Sequence, residues 1–497
     1  MKPPEAMRFN MQVQGLIRGA LCATLLAATG VAFATPTEPY WQSLSSKDKE
    51  GYIPALMPAG VQVVNTENEG PVFATADGRT LYTWPLSGLR NGQAGDRRKS
   101  GLATCDGTIY KETSGFMSPY PGGFLLPEPE NRKSCEALWP PFLAPADAKP
   151  VGKWTTVKRT NGESQWAYDD FPVYTSSKDH KKGDVLGGSN SMAGGAMGAV
   201  RYPSGPTADI PSDLGLAVFR TGRMLITRKG FSVYAYDKDT PGKSNCTGAC
   251  LDTWLPVLAP EMAKAAGDDR RAAEGIQRSA SGATRDWSII ERSPGIQQWA
   301  YRGKPLYTNV DDTQPRRIIG TDIPDWRNVY TQRALTPPSD FTVQDADLGQ
   351  VLADSKGKTI YYYSCNDDAM DQQSCDSPEA PQVYRLAICG NFDPKVCNET
   401  FPYVQAQPGE KADSALWSVI SIDPNTGKLA QAGQAGALQV WAYRERPVYT
   451  YGDDSRPGSV DGDNFGEFNG ERNGFRAFWL RDDFRGNANG RSPGDRR

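Results

Sequence analysis

The sequence predicts a mainly β chain of three tandem β-rich units, each with two related hairpin-centred halves. Three spacings that recur along the 497 residues predict it: a Trp-to-Pro block, a Gly-to-Tyr offset and a Cys-to-aromatic marker.

The strongest block reads Gln165-Trp166-Ala167-Tyr168, Gln298-Trp299-Ala300-Tyr301 and Val440-Trp441-Ala442-Tyr443. Pro172, Pro305 and Pro447 follow each Trp at one fixed distance, and Tyr174-Thr175, Tyr307-Thr308 and Tyr449-Thr450 come next. Trp and Tyr two positions apart share one face of a strand, and the short polar stretch before Pro turns the chain back. Each block is therefore expected to be a hairpin.

The second spacing places a Tyr after a Gly: Gly78 with Tyr82, Gly230 with Tyr234 and Gly357 with Tyr361. Gly303 and Tyr307 keep this offset inside the Trp block, with Asp170/Tyr174 and Glu445/Tyr449 in the equivalent places, so six half-units emerge in three pairs. The third spacing puts an aromatic residue after a cysteine: Cys135 with Trp139, Cys250 with Trp254 and Cys397 with Phe401.

These registers divide the chain into a signal peptide (1–34), an N-terminal segment (35–68), unit 1 (69–192), a linker (193–213), unit 2 (214–325), a linker (326–341), unit 3 (342–483) and a flexible tail (484–497). The Ala-rich insertion 262–278 has helix-forming composition. Two arrangements suit six halves: separate tandem modules, or closure into a six-bladed β-propeller.

Lys2, Arg8 and Arg18 precede an apolar run that ends in Ala32-Phe33-Ala34, the pattern of a cleaved signal peptide. No later segment is apolar for long enough to cross a bilayer, so a product that is not membrane-integral is expected in the periplasm or outside the cell. Cleavage after Ala34 removes three basic and one acidic residue, which takes the formal charge from -3 to -5 and gives no reason to expect nucleic acid.

Eight cysteines remain: Cys105, Cys135, Cys246, Cys250, Cys365, Cys375, Cys389 and Cys397. An even count in an exported chain favours disulfides over zinc. Cys105 with Cys135 and Cys246 with Cys250 are the natural pairs. Unit 3 allows three connectivities, of which Cys365–Cys375 with Cys389–Cys397 is favoured.

Tyr234-Ala235-Tyr236-Asp237-Lys238-Asp239, the Cys246-Thr247-Gly248-Ala249-Cys250 stretch through Trp254 and Pro256, and the Trp blocks together resemble the bacterial "secreted repeat of unknown function" family, predicted lipoproteins with a Tyr-x-aromatic-x-x-Asp motif. The resemblance spans most of residues 69–463. It implies export and a repeated β-rich module, and no reaction. Trp84 and Tyr363 are not followed by the motif's Asp, so a role for Asp239 need not extend to units 1 and 3.

His180 is the only histidine, which removes a required part from Ser-His-Asp and Cys-His catalysis. No cofactor or metal is expected. Asp179, Asp311-Asp312, Asp453-Asp454, Asp461 and Asp463 recur after the return strands, without EF-hand spacing, and read as solvated turn residues. Trp166, Tyr168, Tyr174, Trp299, Tyr301, Tyr307, Trp441, Tyr443 and Tyr449 could stack on a ligand if exposed, but alternating aromatics on a hairpin more simply make its core. The leading functional expectation is a non-enzymatic module binding an unknown protein or glycan. The alternatives are a carbohydrate-active protein using paired carboxylates and aromatic platforms, and an accessory to an exported redox or envelope system.

Overall fold

The computed structural model describes residues 55–83, 102–115, 121–187, 202–260, 287–334, 337–466 and 474–482, apart from positions 68, 104, 207, 209, 348, 366, 370, 372 and 413. The expected signal peptide, the tail, Trp84 and the 262–278 insertion lie outside the described residues.

Every unit opens with an antiparallel hairpin: Val61–Thr66 with Gly70–Thr75, Leu214–Phe219 with Gly222–Thr227, and Thr342–Ala346 with Gly349–Ala353. The first of these begins inside the stretch assigned to the N-terminal segment. A second hairpin carries the Trp block: Trp154–Arg159 with Ser164–Tyr168, Trp287–Ser293 with Ile296–Tyr301, and Trp417–Ile422 with Leu438–Tyr443.

After the Trp block the chain reverses through two residues, Asp169-Asp170, Arg302-Gly303 or Arg444-Glu445, all with positive φ. That is the backbone of a two-residue turn matched to the twist of the strands it joins. Gly78, Gly230 and Gly357 have φ of 91°, 90° and 81°, which explains the Gly-to-Tyr offset. The return strand then pairs the recurring proline with the block's alanine, Ala167 with Pro172, Ala300 with Pro305 and Ala442 with Pro447.

The two halves of a unit join at their tyrosines. The backbone N–H of Tyr82 donates to the carbonyl of Tyr174 at 2.8 Å, and that of Tyr174 to the carbonyl of Tyr82 at 3.0 Å. Tyr234 faces Tyr307 and Tyr361 faces Tyr449 in the same antiparallel register. Exchange of both bonds between equivalent residues is a local pseudo-twofold relation.

The relation extends outward. Val257 N–H donates to the Leu306 carbonyl, and Val329 N–H to the Val233 carbonyl, at 2.8 and 3.0 Å. Val404 with Val448 and Phe478 with Ile360 repeat this in unit 3 at 3.0 and 2.7 Å. The strand after the Cys-to-aromatic marker thus has a mate at the end of each unit. In unit 2 that mate is Trp326–Asn328, and its Trp326 stacks on Trp254 with centroids 3.7 Å apart; in unit 3 Phe475 stacks on Phe401 at 3.5 Å.

This corrects the linkers. Residues 193–213 include the strand Tyr202–Pro203, paired with Tyr82–Thr83, and residues 326–341 include Trp326–Asn328 and Tyr330–Arg333, paired with strands of unit 2. Their Pro, Asp and Gly content hid strands that complete the units.

The strands form eight sheets of two to five strands, and none closes on itself among the described residues. A six-bladed propeller requires each half to stand as its own blade, whereas hydrogen bonds join these halves in pairs.

Nor do the units hang as beads. The turn of unit 1's first hairpin meets both other units: the Glu67 carbonyl accepts from Gln332 Nε2 and the Glu69 carbonyl from Arg223 Nη1, both at 3.1 Å, and the Glu67 carboxylate accepts from Ser414 Oγ at 2.8 Å. Glu69 Oε1 pairs with Arg444 Nη2 at 3.1 Å, both side chains buried. Arg220 of unit 2 donates to the carbonyls of Ala477 and Trp479 in unit 3.

Replacing one member of a buried pair strands the other charge, so Arg444→Met is expected to destabilise the protein by about 3–5 kcal/mol in urea unfolding. Glu69→Leu combined with Arg444→Met should be closer to wild type than Arg444→Met alone.

Candidate functional site

The recurring carboxylates hold each unit shut. Tyr82 donates its hydroxyl to Asp179 Oδ2 at 2.6 Å, Tyr234 to Asp312 Oδ2 at 2.7 Å and Tyr361 to Asp454 Oδ2 at 2.8 Å. The other oxygen of each Asp accepts a backbone N–H seven residues on, from Leu186, Ile319 or Asp461, at 2.8, 3.0 and 3.1 Å. In unit 2 the bond is reciprocal, because Tyr307 also donates to Asp239 Oδ2 at 2.8 Å. Each Asp lies five residues after one tyrosine and binds the tyrosine of the other half.

The solvated-turn reading is therefore corrected for Asp179, Asp312 and Asp454, which are only 5%, 2% and 5% exposed, while Asp311, Asp453 and Asp461 are exposed. Asp463 is also occupied, accepting from Ala477 N and Trp479 Nε1 at 3.0 and 3.1 Å. Among the described residues no group of three or more His, Cys, Asp or Glu is placed to hold a metal ion. Burial pushes the Tyr82, Tyr234 and Tyr361 hydroxyls well above their ordinary value, and Tyr307 up to about 12, so all four remain donors at neutral pH.

The Trp block has a matching explanation. Gln165 and Gln298 are fully buried; each Nε2 donates to the carbonyl preceding the paired tyrosine, Val173 at 2.8 Å or Leu306 at 2.7 Å. Each Oε1 accepts from an arginine, Arg159 or Arg292, that also reaches the carbonyl of a disulfide cysteine, Cys105 or Cys246. Unit 3 has Val440 there, and a different arginine, Arg385, donates to Tyr403 Oη at 3.0 Å and lies 5.5 Å from the Tyr449 ring.

Of the nine aromatics weighed as ligand platforms, Trp166, Tyr174, Trp299, Tyr301, Tyr307, Trp441, Tyr443 and Tyr449 are buried and Tyr168 is half-buried. Their faces pack on one another and on Trp154, Trp287 and Trp417, which leaves no exposed ring among the nine. The Cys-to-aromatic marker belongs to the same core: Trp139, Trp254 and Phe401 meet Tyr82, Tyr234 and Tyr361 edge-on at 5.4, 5.2 and 5.9 Å.

Disulfides join Cys105–Cys135, Cys246–Cys250, Cys365–Cys375 and Cys389–Cys397, with Cα–Cα distances of 5.3, 5.4, 5.0 and 4.6 Å. His180 is exposed, its Nε2 3.5 Å from Glu445 Oε1.

A cavity of about 310 Å³ lies where units 1 and 3 meet. Unit 1 contributes the end of its 106–134 insertion, the Cys135–Leu138 helix and the Ser176–Lys178 stretch, while unit 3 contributes the Cys365–Cys375 loop and the residues through Tyr384. The insertion is tied to unit 3 by ion pairs of Arg132 with Asp367 and, at 3.1 Å, Asp371, and by Lys428 Nζ donating to both oxygens of Glu128. Burial, reinforced by the charge of Asp367, lifts Asp371 to about 6. Arg446 Nε lies 3.1 Å from Asp376 Oδ2, and Lys178 Nζ donates to Ser377 Oγ at 2.8 Å. Burial, aided by the charge of Arg446, lowers Lys178 to about 8. Lys178, one before the latch aspartate, and Arg446, first in its return strand, sit inside the repeat, whereas Arg132, Asp367, Asp371 and Asp376 fall outside its spacings; the sequence signal was the insertion itself, where the spacing breaks.

The tyrosine-to-aspartate latch also marks where the chain resembles known proteins. Residues 155–192, 217–258 and 288–326 match the secreted repeat of unknown function. Each match covers a half, with its hairpin, tyrosine strand and latch aspartate: Tyr174/Asp179, Tyr234/Asp239 and Tyr307/Asp312. The secreted repeat is thus the half-unit, and its matches are narrower than the 69–463 span over which the chain resembles it. Unit 3 lies outside the matches although Tyr361 and Asp454 keep the latch. No curated protein and no solved structure matches the chain. The family's description as secreted accords with the four disulfides of an oxidising compartment. No helix among the described residues is long and apolar enough to cross a membrane.

Burial raises Asp179 and Asp454 to about 6, above the unfolded value of 3.8. Each therefore contributes stability that is complete below 3.8 and lost as pH rises through 6. A pH series of melting temperatures should show a smaller fall across this window for Asp179→Asn or Asp454→Asn than for wild type. Tyr234→Phe, which leaves Asp312 buried without its hydroxyl donor, is expected to cost about 1–3 kcal/mol in urea unfolding.

Proposed function

We propose that the protein is an exported, non-enzymatic binding module, released after Ala34 to the periplasm or cell exterior, whose ligand occupies the cleft between units 1 and 3. The observation that carries this reading is the origin of the walls. Much of the cleft is built from segments that depart from the repeat, the loops closed by Cys105–Cys135 in unit 1 and Cys365–Cys375 in unit 3, to which the repeat adds Trp139, the Ser176–Lys178 stretch and Arg446. A cavity of this size, with an apolar wall and a few converging polar groups, is the usual form of a small-molecule site.

The carboxylates do not favour hydrolysis. Asp179, Asp312 and Asp454 already hold a tyrosine hydroxyl, and Asp367 and Asp371 share Arg132.

The test is a thermal-shift screen of small metabolites, short glycans and peptides against the disulfide-intact protein and Ala380→Trp, which fills the cleft from its rim. A true ligand at about a hundredfold its Kd adds about 2.7 kcal/mol to the wild type and nothing to the filled variant. A screen in which no compound separates the two proteins overturns the proposal.

A further inference from the structure

We propose that Lys178 and Ser377 form an oxyanion subsite in the cleft, which takes a small ligand with an anionic head and an apolar body. This deepens the cleft-binding reading and rests on it.

Besides the exposed Lys133, four cations stand in the cleft wall: Arg132, Lys178, Lys428 and Arg446. Three are matched by carboxylates, Arg132 by Asp367 and Asp371, Lys428 by Glu128 and Arg446 by Asp376. Lys178 makes no ion pair among the described residues. Its one side-chain bond is the donation from Nζ to Ser377 Oγ at 2.8 Å. An ammonium has three N–H donors, so two are left over; the Ser377 hydroxyl accepts here, and its own hydrogen meets no acceptor among the described residues. A lysine and a serine from different units thus bring three uncommitted donors to one place in the cavity wall. Donor excess beside a poorly solvated cation is complementary to an oxyanion.

The nearby carboxylates do not fill that role. Asp376 is engaged by Arg446, Glu379 is exposed, and Glu445 lies 3.5 Å from His180 Nε2. Burial and the Arg446 charge both work against the Lys178 ammonium, and a bound anion would relieve both. The lysine is also held in place: its backbone N–H donates to Ser176 Oγ at 3.2 Å, and the next residue is Asp179, fixed by Tyr82. Leu138, Trp139, Pro381 and Tyr384 supply apolar surface for the ligand's body. Because the two donors come from units 1 and 3, the ligand would also fasten the units together.

Calorimetric titration with benzoate, phenyl phosphate and uncharged benzamide tests the subsite, with the two acids separating a carboxylate from a phosphate preference. At least one acid should bind about tenfold or more tighter than benzamide, a difference of about 1.4 kcal/mol. Lys178→Met should abolish that preference and leave benzamide unchanged, Lys178→Arg should keep it, and Ser377→Ala should reduce it; circular dichroism melts report whether each variant is folded. Equal binding of acid and amide by wild type overturns the proposal, as does a folded Lys178→Met that retains the preference. If none of the three probes binds while the screen finds a ligand excluded by Ala380→Trp, the oxyanion subsite fails and the cleft stands. If the screen also fails, the cleft reading falls with it.

Discussion

The pairing of two tyrosine strands across a pseudo-twofold axis is what the rest of the molecule depends on. A single half cannot bury both sides of its hairpin, and its short tyrosine strand has only two to four residues with which to form a ladder. Backbone exchange between Tyr82 and Tyr174, or between their counterparts, joins two such halves, and the latch then ties the aspartate of one to the hydroxyl of the other. A buried carboxylate that accepts a phenol and a backbone N–H is satisfied on both oxygens, so the polar groups at the centre of each unit fix one register. The marker aromatics complete the arrangement by meeting the latch tyrosines edge-on, and their symmetric mates, Trp326 and Phe475, stack against Trp254 and Phe401.

Much of this was legible because the repeat encodes it redundantly. The Gly-to-Tyr offset recurs because a left-handed turn needs it, whereas the role of the Gln in the Trp block, a buried amide bridging an arginine and a backbone carbonyl, comes from the coordinates alone. The closing strands were hidden for a physical reason. Trp326-Arg327-Asn328-Val329 mirrors Trp254-Leu255-Pro256-Val257, but its polar middle residues and the prolines that follow give the composition of a linker. The latch was half visible: the aspartates were found by their recurrence, while their partners, 68 to 97 residues away, required the twofold relation.

Polar chemistry divides accordingly between repeat and insertion. Inside the secreted repeat, buried polar groups serve the fold, through Gln165 with Arg159, Gln298 with Arg292, and the latches. Between units, the Glu69–Arg444 pair and the contacts of Glu67 hold three units against one another. Where units 1 and 3 meet, Lys178 faces a cavity and makes no ion pair among the described residues.

Unit 2 shows why the cleft needs those insertions. Its marker disulfide, Cys246–Cys250, encloses three residues where unit 1 has the long loop between Cys105 and Cys135, so nothing extends from it to meet a neighbour as Arg132 does. At the position of Lys178, one before the latch aspartate, unit 2 has the exposed Asp311. The latch of unit 2 is also the most symmetric, with Tyr234 bound to Asp312 and Tyr307 to Asp239. Symmetry and site building therefore draw on the same loops: a unit that keeps both copies of the repeat intact secures its own fold, and one that departs from it gains residues free to face a ligand.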